Sequence, residues 1–135
     1  MAEPKTRPTD ADVDAFLAAV PDPTRRADAQ ALDGLLRAAS GERPVMWGTS
    51  IVGYGELAYP GPRGTTRTWP VIAFAPRTSE LVLYLNTRLE PELFADLGRH
   101  RRGVGCLYLK RLSDVDPDAL TGLLARSVAL AREEP

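Results

Sequence analysis

The chain holds little of what nucleophilic catalysis usually needs: one cysteine, Cys106, and one histidine, His100, among 135 residues. A single thiol excludes an intramolecular disulfide and any zinc or iron–sulfur centre built on several thiolates. A single imidazole removes most nucleophile–base arrangements. No run approaches the ~20 apolar residues of a membrane span, and the polar, proline-bearing start from Met1 to Pro8 is unlike a secretory signal. With a lone thiol suited to a reducing compartment, the expected location is the cytoplasm. The formal net charge of −1 gives no global pull toward nucleic acid or anionic lipid, so neither is expected as a partner.

What is present reads as globular. Hydrophobic residues make up 44% and charged residues 26%, values that argue against a disordered or fibrous chain. The length suffices for one core without disulfides or metal. One domain is therefore expected over residues 9–135, after a loose tail at 1–8. The charges are uneven: residues 1–34 hold seven acids against four bases, while residues 60–111 hold nine bases against four acids. That bias marks a local basic surface.

Hydrophobic spacing gives the elements. Thr9 is placed to cap a helix carrying Val13, Phe16, Leu17 and Val20 on one face. Asp22-Pro23 opens a second helix whose stripe is Leu32, Leu35, Leu36 and Ala39, and Ser40-Gly41 stops it. Strands are expected at Ile51-Val52, Leu57 to Tyr59, Trp69 to Ala75 and Leu81 to Leu85, joined by short turn-like links that favour antiparallel neighbours. Pro91 to Leu97 reads as a short helix and Gly105 to Lys110 as a strand. The last helix has Asp116 as cap and Pro117 at its first position, with Val115 placed to staple against Leu120. The fold class is thus α+β, an antiparallel sheet of about five strands packed with helices in the order ααββββαβα.

Several constellations carry chemistry. In the strand Gly105 to Lys110, alternation sends Leu107 and Leu109 to one face and Cys106, Tyr108 and Lys110 to the other, where Tyr84 can join them. Such a face suits a small ligand or a second copy of the chain, although aromatic residues also pack cross-strand for structural reasons alone. The run Arg99 to Gly105 sets four potentially cationic side chains beside a Gly-x-Gly turn, a setting for a phosphate or carboxylate. A solvated basic loop is the simpler explanation, since most charge runs do no more than keep a surface wet. Cys106 beside those cations is a conceivable nucleophile with His100 as base, against the plainer account of a small buried hydrophobe. The aspartates of residues 10–33, with Asp10 and Asp14 one helical turn apart, offer oxygen ligands to a cation, or simply start helices. Trp47, after the breaker Pro44, reads as a plug at the core edge or as the mouth of a pocket.

Met46-Trp47-Gly48, Ile51 to Gly55, Phe74-Ala75-Pro76-Arg77, Leu83-Tyr84-Leu85, Leu97 to His100 and Gly105 to Leu112, in that order, resemble the YdhG-like family of bacterial domains of unknown function. The resemblance runs from about Val13 to about Val128 and implies a small α+β domain. One branch of that family is described as frataxin-like, which implies an intracellular iron chaperone with iron as cargo and draws attention to the acidic helical edge, where Asp10 and Asp14 are the candidate ligands on their own spacing. Where the family tends to read Gly-Phe-Ser-Pro-Arg-Lys, this chain has Ala73-Phe74-Ala75-Pro76-Arg77-Thr78, losing a hydroxyl and a cation.

The expected function is a non-enzymatic domain that binds a small molecule or anion through Trp47, Tyr54, Arg77, Tyr84, Arg102, Tyr108 and Lys110. An iron chaperone and a cysteine-dependent enzyme are the alternatives.

Overall fold

The computed structural model describes residues 7–133. Helix α1 is Val13–Ala18, and Asp12 rather than Thr9 caps it: the Asp12 carboxylate accepts the Ala15 amide at 3.1 Å. Thr9 is occupied elsewhere. Its amide donates to the Met46 carbonyl, the Gly48 amide donates to the Arg7 carbonyl, and Pro8 bridges opposite Trp47. The last residues of the expected tail, Arg7 and Pro8, therefore run antiparallel to the strand that contains Trp47. Residues 1–6 of that tail lie outside the described residues.

Helix α2, Pro23–Ser40, follows the sequence closely. The Asp22 carboxylate accepts the Arg25 amide at 2.8 Å, proline fills the first helical position, and Gly41 ends the helix at φ 71°, a left-handed cap that glycine adopts without strain. Helix α3, Pro117–Glu133, likewise starts at Asp116, whose carboxylate accepts the Ala119 amide at 2.9 Å. No described helix is long and apolar enough to cross a membrane.

Between α2 and α3 lie eight strands: β1 Pro44–Trp47, β2 Ile51–Tyr54, β3 Leu57–Pro60, β4 Thr66–Trp69, β5 Ile72–Pro76, β6 Leu81–Tyr84, β7 Arg101–Gly103 and β8 Cys106–Leu109. Six form an antiparallel sheet in the order β1-β2-β5-β6-β8-β7, and β3 pairs with β4 in a separate hairpin. The α+β class holds, with more strands than expected. Trp47 is part of a strand. The stretch Trp69 to Ala75 is divided between β4 and β5 at Pro70, which has no amide to give a ladder. β7 is a three-residue edge whose arginines resemble a loop in sequence. The expected helix after Pro91 is a single 3-10 turn, Pro91–Phe94, whose cap residue Glu90 makes no side-chain capping bond.

Register decides which face is core. Val52, Phe74, Leu83 and Leu107 form one cross-strand row, and Leu81 opposes Leu109 in the next. All six are fully buried beneath the helices, with Leu32 and Leu36 of α2 and Leu120, Leu123 and Leu124 of α3 in the same cluster. Each such side chain contributes about 1.5–3 kcal/mol on leaving water. Leu107 and Leu109 thus face the helices, and the neighbouring residues of β8 face away. The β3–β4 hairpin closes part of that outer face, where the Trp69 ring meets Trp47 edge-on at 6.1 Å and Tyr84 at 5.8 Å.

Candidate functional site

The outer face gathers its side chains through three adjacent strands. Tyr84 of β6 opposes Cys106 of β8, Val82 opposes Tyr108, and Tyr108 in turn opposes Arg101 of β7. Period-two alternation aims Tyr84, Cys106, Tyr108 and Arg101 to the side away from the helices. Arg77 reaches them from the turn after β5, which the Arg77 amide closes by donating to the Glu80 carbonyl at 2.9 Å.

The contacts are specific. Arg77 Nη2 donates to the Tyr84 hydroxyl at 3.0 Å, and that bond raises the Arg77 pKa above its ordinary value. The Arg101 guanidinium lies 4.0 Å from the Tyr108 ring centroid, a cation–π distance, while its Nη2 donates to Glu80 Oε1 at 2.6 Å. Tyr108 and the Cys106 thiol lie on the same face of β8. The neighbouring thiol pushes the Tyr108 pKa up, and Arg101 and Arg77 pull it the other way. Two guanidiniums, two phenols and a half-buried thiol therefore share one face with one carboxylate, Glu80.

Of the seven residues expected to form a binding surface, Arg77, Tyr84 and Tyr108 meet on this face. Lys110 is exposed just beyond the end of β8. Trp47 shares the face but is 1% exposed, covered where Trp69 abuts it. Tyr54 lies on the other side: it is fully buried under α2, stacks on Phe74 at 6.5 Å, and donates its hydroxyl to Asp33 Oδ1 at 2.6 Å. Arg102 opposes Leu107 on the helix side, with its guanidinium 4.2 Å from the Phe94 ring centroid. Arg101, its neighbour, takes the place beside Tyr108. Reading Arg101 to Gly103 as a strand reveals this, since alternation then separates the two arginines.

The Gly-x-Gly segment is the tip of the β7–β8 hairpin, with Gly105 at φ 71° and Val104 93% exposed. His100 places Nδ1 at 2.7 Å from the Gly98 carbonyl and packs its ring against Phe94. The Phe94 ring belongs to the core cluster on the helix side of the sheet.

The aspartates are largely spoken for. Asp12 and Asp22 accept helix-start amides, Asp28 accepts the Leu112 amide at 2.9 Å, and Asp33 accepts from both Tyr54 and Arg37. Asp14 is exposed in a shallow depression that it shares with Arg37 and Arg43, cations that oppose a metal ion there. Among the described residues no group of three or more His, Cys, Asp or Glu side chains is arranged to hold a metal.

No family model, curated protein or solved structure matches this chain.

Proposed function

We propose that the chain is a non-enzymatic binding domain that takes a small anion on the outer face of its sheet, between Arg77 and Arg101. The observation that carries this reading is that the Arg77 guanidinium is held in place by a phenol, Tyr84, while Arg101 is stacked on Tyr108. A guanidinium offers five N–H donors in a fixed fork. Arg77 gives one of them to Tyr84, which orients the fork and leaves its charge uncancelled by that bond. A carboxylate or phosphate fits such a fork with paired, charge-assisted bonds, and the Tyr84 and Tyr108 hydroxyls supply further polar contacts at its edge.

The YdhG-like resemblance is consistent with this reading. Its segments Phe74 to Arg77, Leu83 to Leu85 and Gly105 to Leu112 overlap β5 and the turn that follows it, β6 and β8, which carry Arg77, Tyr84 and Tyr108 respectively. Thr78, where the family tends to have lysine, leaves Arg77 as the one base in residues 73–80, and with Arg101 paired to Glu80 the anion's main partner here is Arg77.

The test is a titration of the ¹⁵N-labelled protein with inorganic phosphate and with benzoate, followed by amide shifts. Saturable shifts are expected in residues 77–84 and 101–108. Hydrogen bonds to charged groups contribute about 1.5–3 kcal/mol, so Arg77→Gln or Arg101→Gln should weaken binding about 10- to 100-fold. Shifts that do not saturate, or that both variants leave unchanged, would remove the proposal.

A further inference from the structure

Where α1 hands over to α2, the corner packs against the start of the turn after β5 and forms a half-open cavity of about 270 Å³. Its walls are mainly apolar: Phe16, Ala19, Val20, Pro21 and Pro76. The charged groups that line it are Arg25 and Arg77 against one acid, Asp22, whose carboxylate already accepts the Arg25 amide.

Arg25 is the unusual member. Its side-chain Nε is buried and has no hydrogen-bond partner, although buried donors are almost always paired. The adjacent Arg26 shows the ordinary outcome, with Nη1 donating to the Val20 carbonyl at 3.0 Å. Because that nitrogen is covered, an anion in the cavity would meet Arg25 at its terminal nitrogens, the edge of a half-buried guanidinium in an otherwise mainly apolar wall.

We propose that this cavity binds a small monocarboxylate with a short apolar tail, its oxygen accepting from Arg25 and its tail lying against Phe16, Ala19 and Val20. Apolar walls disfavour a heavily hydrated dianion such as phosphate, because its remaining charge finds no donors there. The volume sets the size. It lies just under the usual ~300–1,000 Å³ of ligand pockets, and at ~30 Å³ for each water-sized unit it admits a molecule of roughly nine non-hydrogen atoms. Hexanoate is of that size.

The site is separate from the anion face of the sheet, although Arg77 borders both. The experiment titrates the whole chain with hexanoate, hexanol and hexylamine while following amide shifts. Hexanoate is expected to saturate a site with shifts in residues 16–26 and 76–78 that Arg101→Gln leaves unchanged, at least tenfold tighter than hexanol, with hexylamine weaker still; carboxylate shifts at residues 101–108 belong to the sheet face and disappear in that variant. Arg25→Met keeps much of the side-chain volume without the donors and should lower hexanoate affinity at least tenfold while sparing hexanol. Ala19→Phe, at an exposed position, should fill the cavity and abolish both. Both variants should leave the response to inorganic phosphate unchanged, which separates failure here from failure of the sheet-face reading. Equal affinity for hexanoate and hexanol, shifts centred elsewhere, or no saturation by about 10 mM, where the binding free energy is under ~3 kcal/mol, would each overturn the proposal.

Discussion

Tyr54 shows how one side chain can be legible in type and illegible in role. It lies between Gly53 and Gly55 in the sequence, which suggests an exposed turn, and its ring and hydroxyl suit a binding surface equally well. Pairing with Ile72 instead sends it under α2, where the hydroxyl finds Asp33 and Asp33 finds Arg37. The sequence cannot reveal that partner, because Asp33 is 21 positions away and only packing brings the two together. Burial, then the bond to Asp33, holds the Tyr54 pKa above its ordinary 10.0. A raised folded-state value means that this contribution to stability is fully present below about pH 10 and is lost as pH rises beyond it. Tyr54→Phe keeps the ring stacked on Phe74 but leaves the buried Asp33 carboxylate short of a donor, a cost of about 1–3 kcal/mol. Urea denaturation at pH 7 should report that loss, and the variant should lose proportionately less stability above pH 10 than the parent. Equal stability at pH 7 would mean that Arg37 alone satisfies Asp33.

Elements were legible where local chemistry marks their ends. Asp22-Pro23 and Ser40-Gly41 bound α2, and Asp116-Pro117 opens α3, because caps and prolines act within a few residues of where they sit. β1 and β7 carried no such mark. They are short, and they are strands only because β2 and β8 pair with them. Gly98 ties the segment before β7 to the one before α3. Its φ is 113°, it bridges Val115 ahead of α3, and a methyl added to it would lie 2.5 Å from the Asp114 carbonyl oxygen. Backbone cannot swing aside as a side chain can, so Gly98→Ala should cost about 1–3 kcal/mol through strain and overpacking. The same change at Gly34, on the exposed side of α2 with nothing within 4 Å, should stabilise by about 0.5–1 kcal/mol. Thermal melts of the two variants should move in opposite directions, and a rise in Tm for Gly98→Ala would contradict the described backbone at that bridge.

Across the whole molecule, the two faces of the sheet differ in chemistry, aliphatic under the helices and aromatic and cationic on the outer side, and alternation makes half of that difference legible. Leu107 and Leu109 against Tyr108 and Cys106 follow from β8 alone, whereas the company Tyr108 keeps depends on strand order, which places β7 beside β8 and brings Arg101 rather than Arg102 to its side. Stability and recognition should therefore separate by face. Leu83 sits in the row Val52, Phe74, Leu83 and Leu107, fully buried in the middle of the core, and Leu83→Ala should cost about 2–5 kcal/mol through lost transfer energy and the cavity left behind. Arg77 is exposed on the opposite side, so Arg77→Gln should change stability by no more than about 0.5 kcal/mol. Anion affinity should reverse that ranking, falling with Arg77→Gln and holding in whatever fraction of Leu83→Ala remains folded. Denaturation and phosphate titration of the same two variants would show both effects. If Arg77→Gln unfolded the chain as readily as Leu83→Ala, the Arg77–Tyr84 bond would be a structural clamp, and the case for a recognition surface would lose its main support.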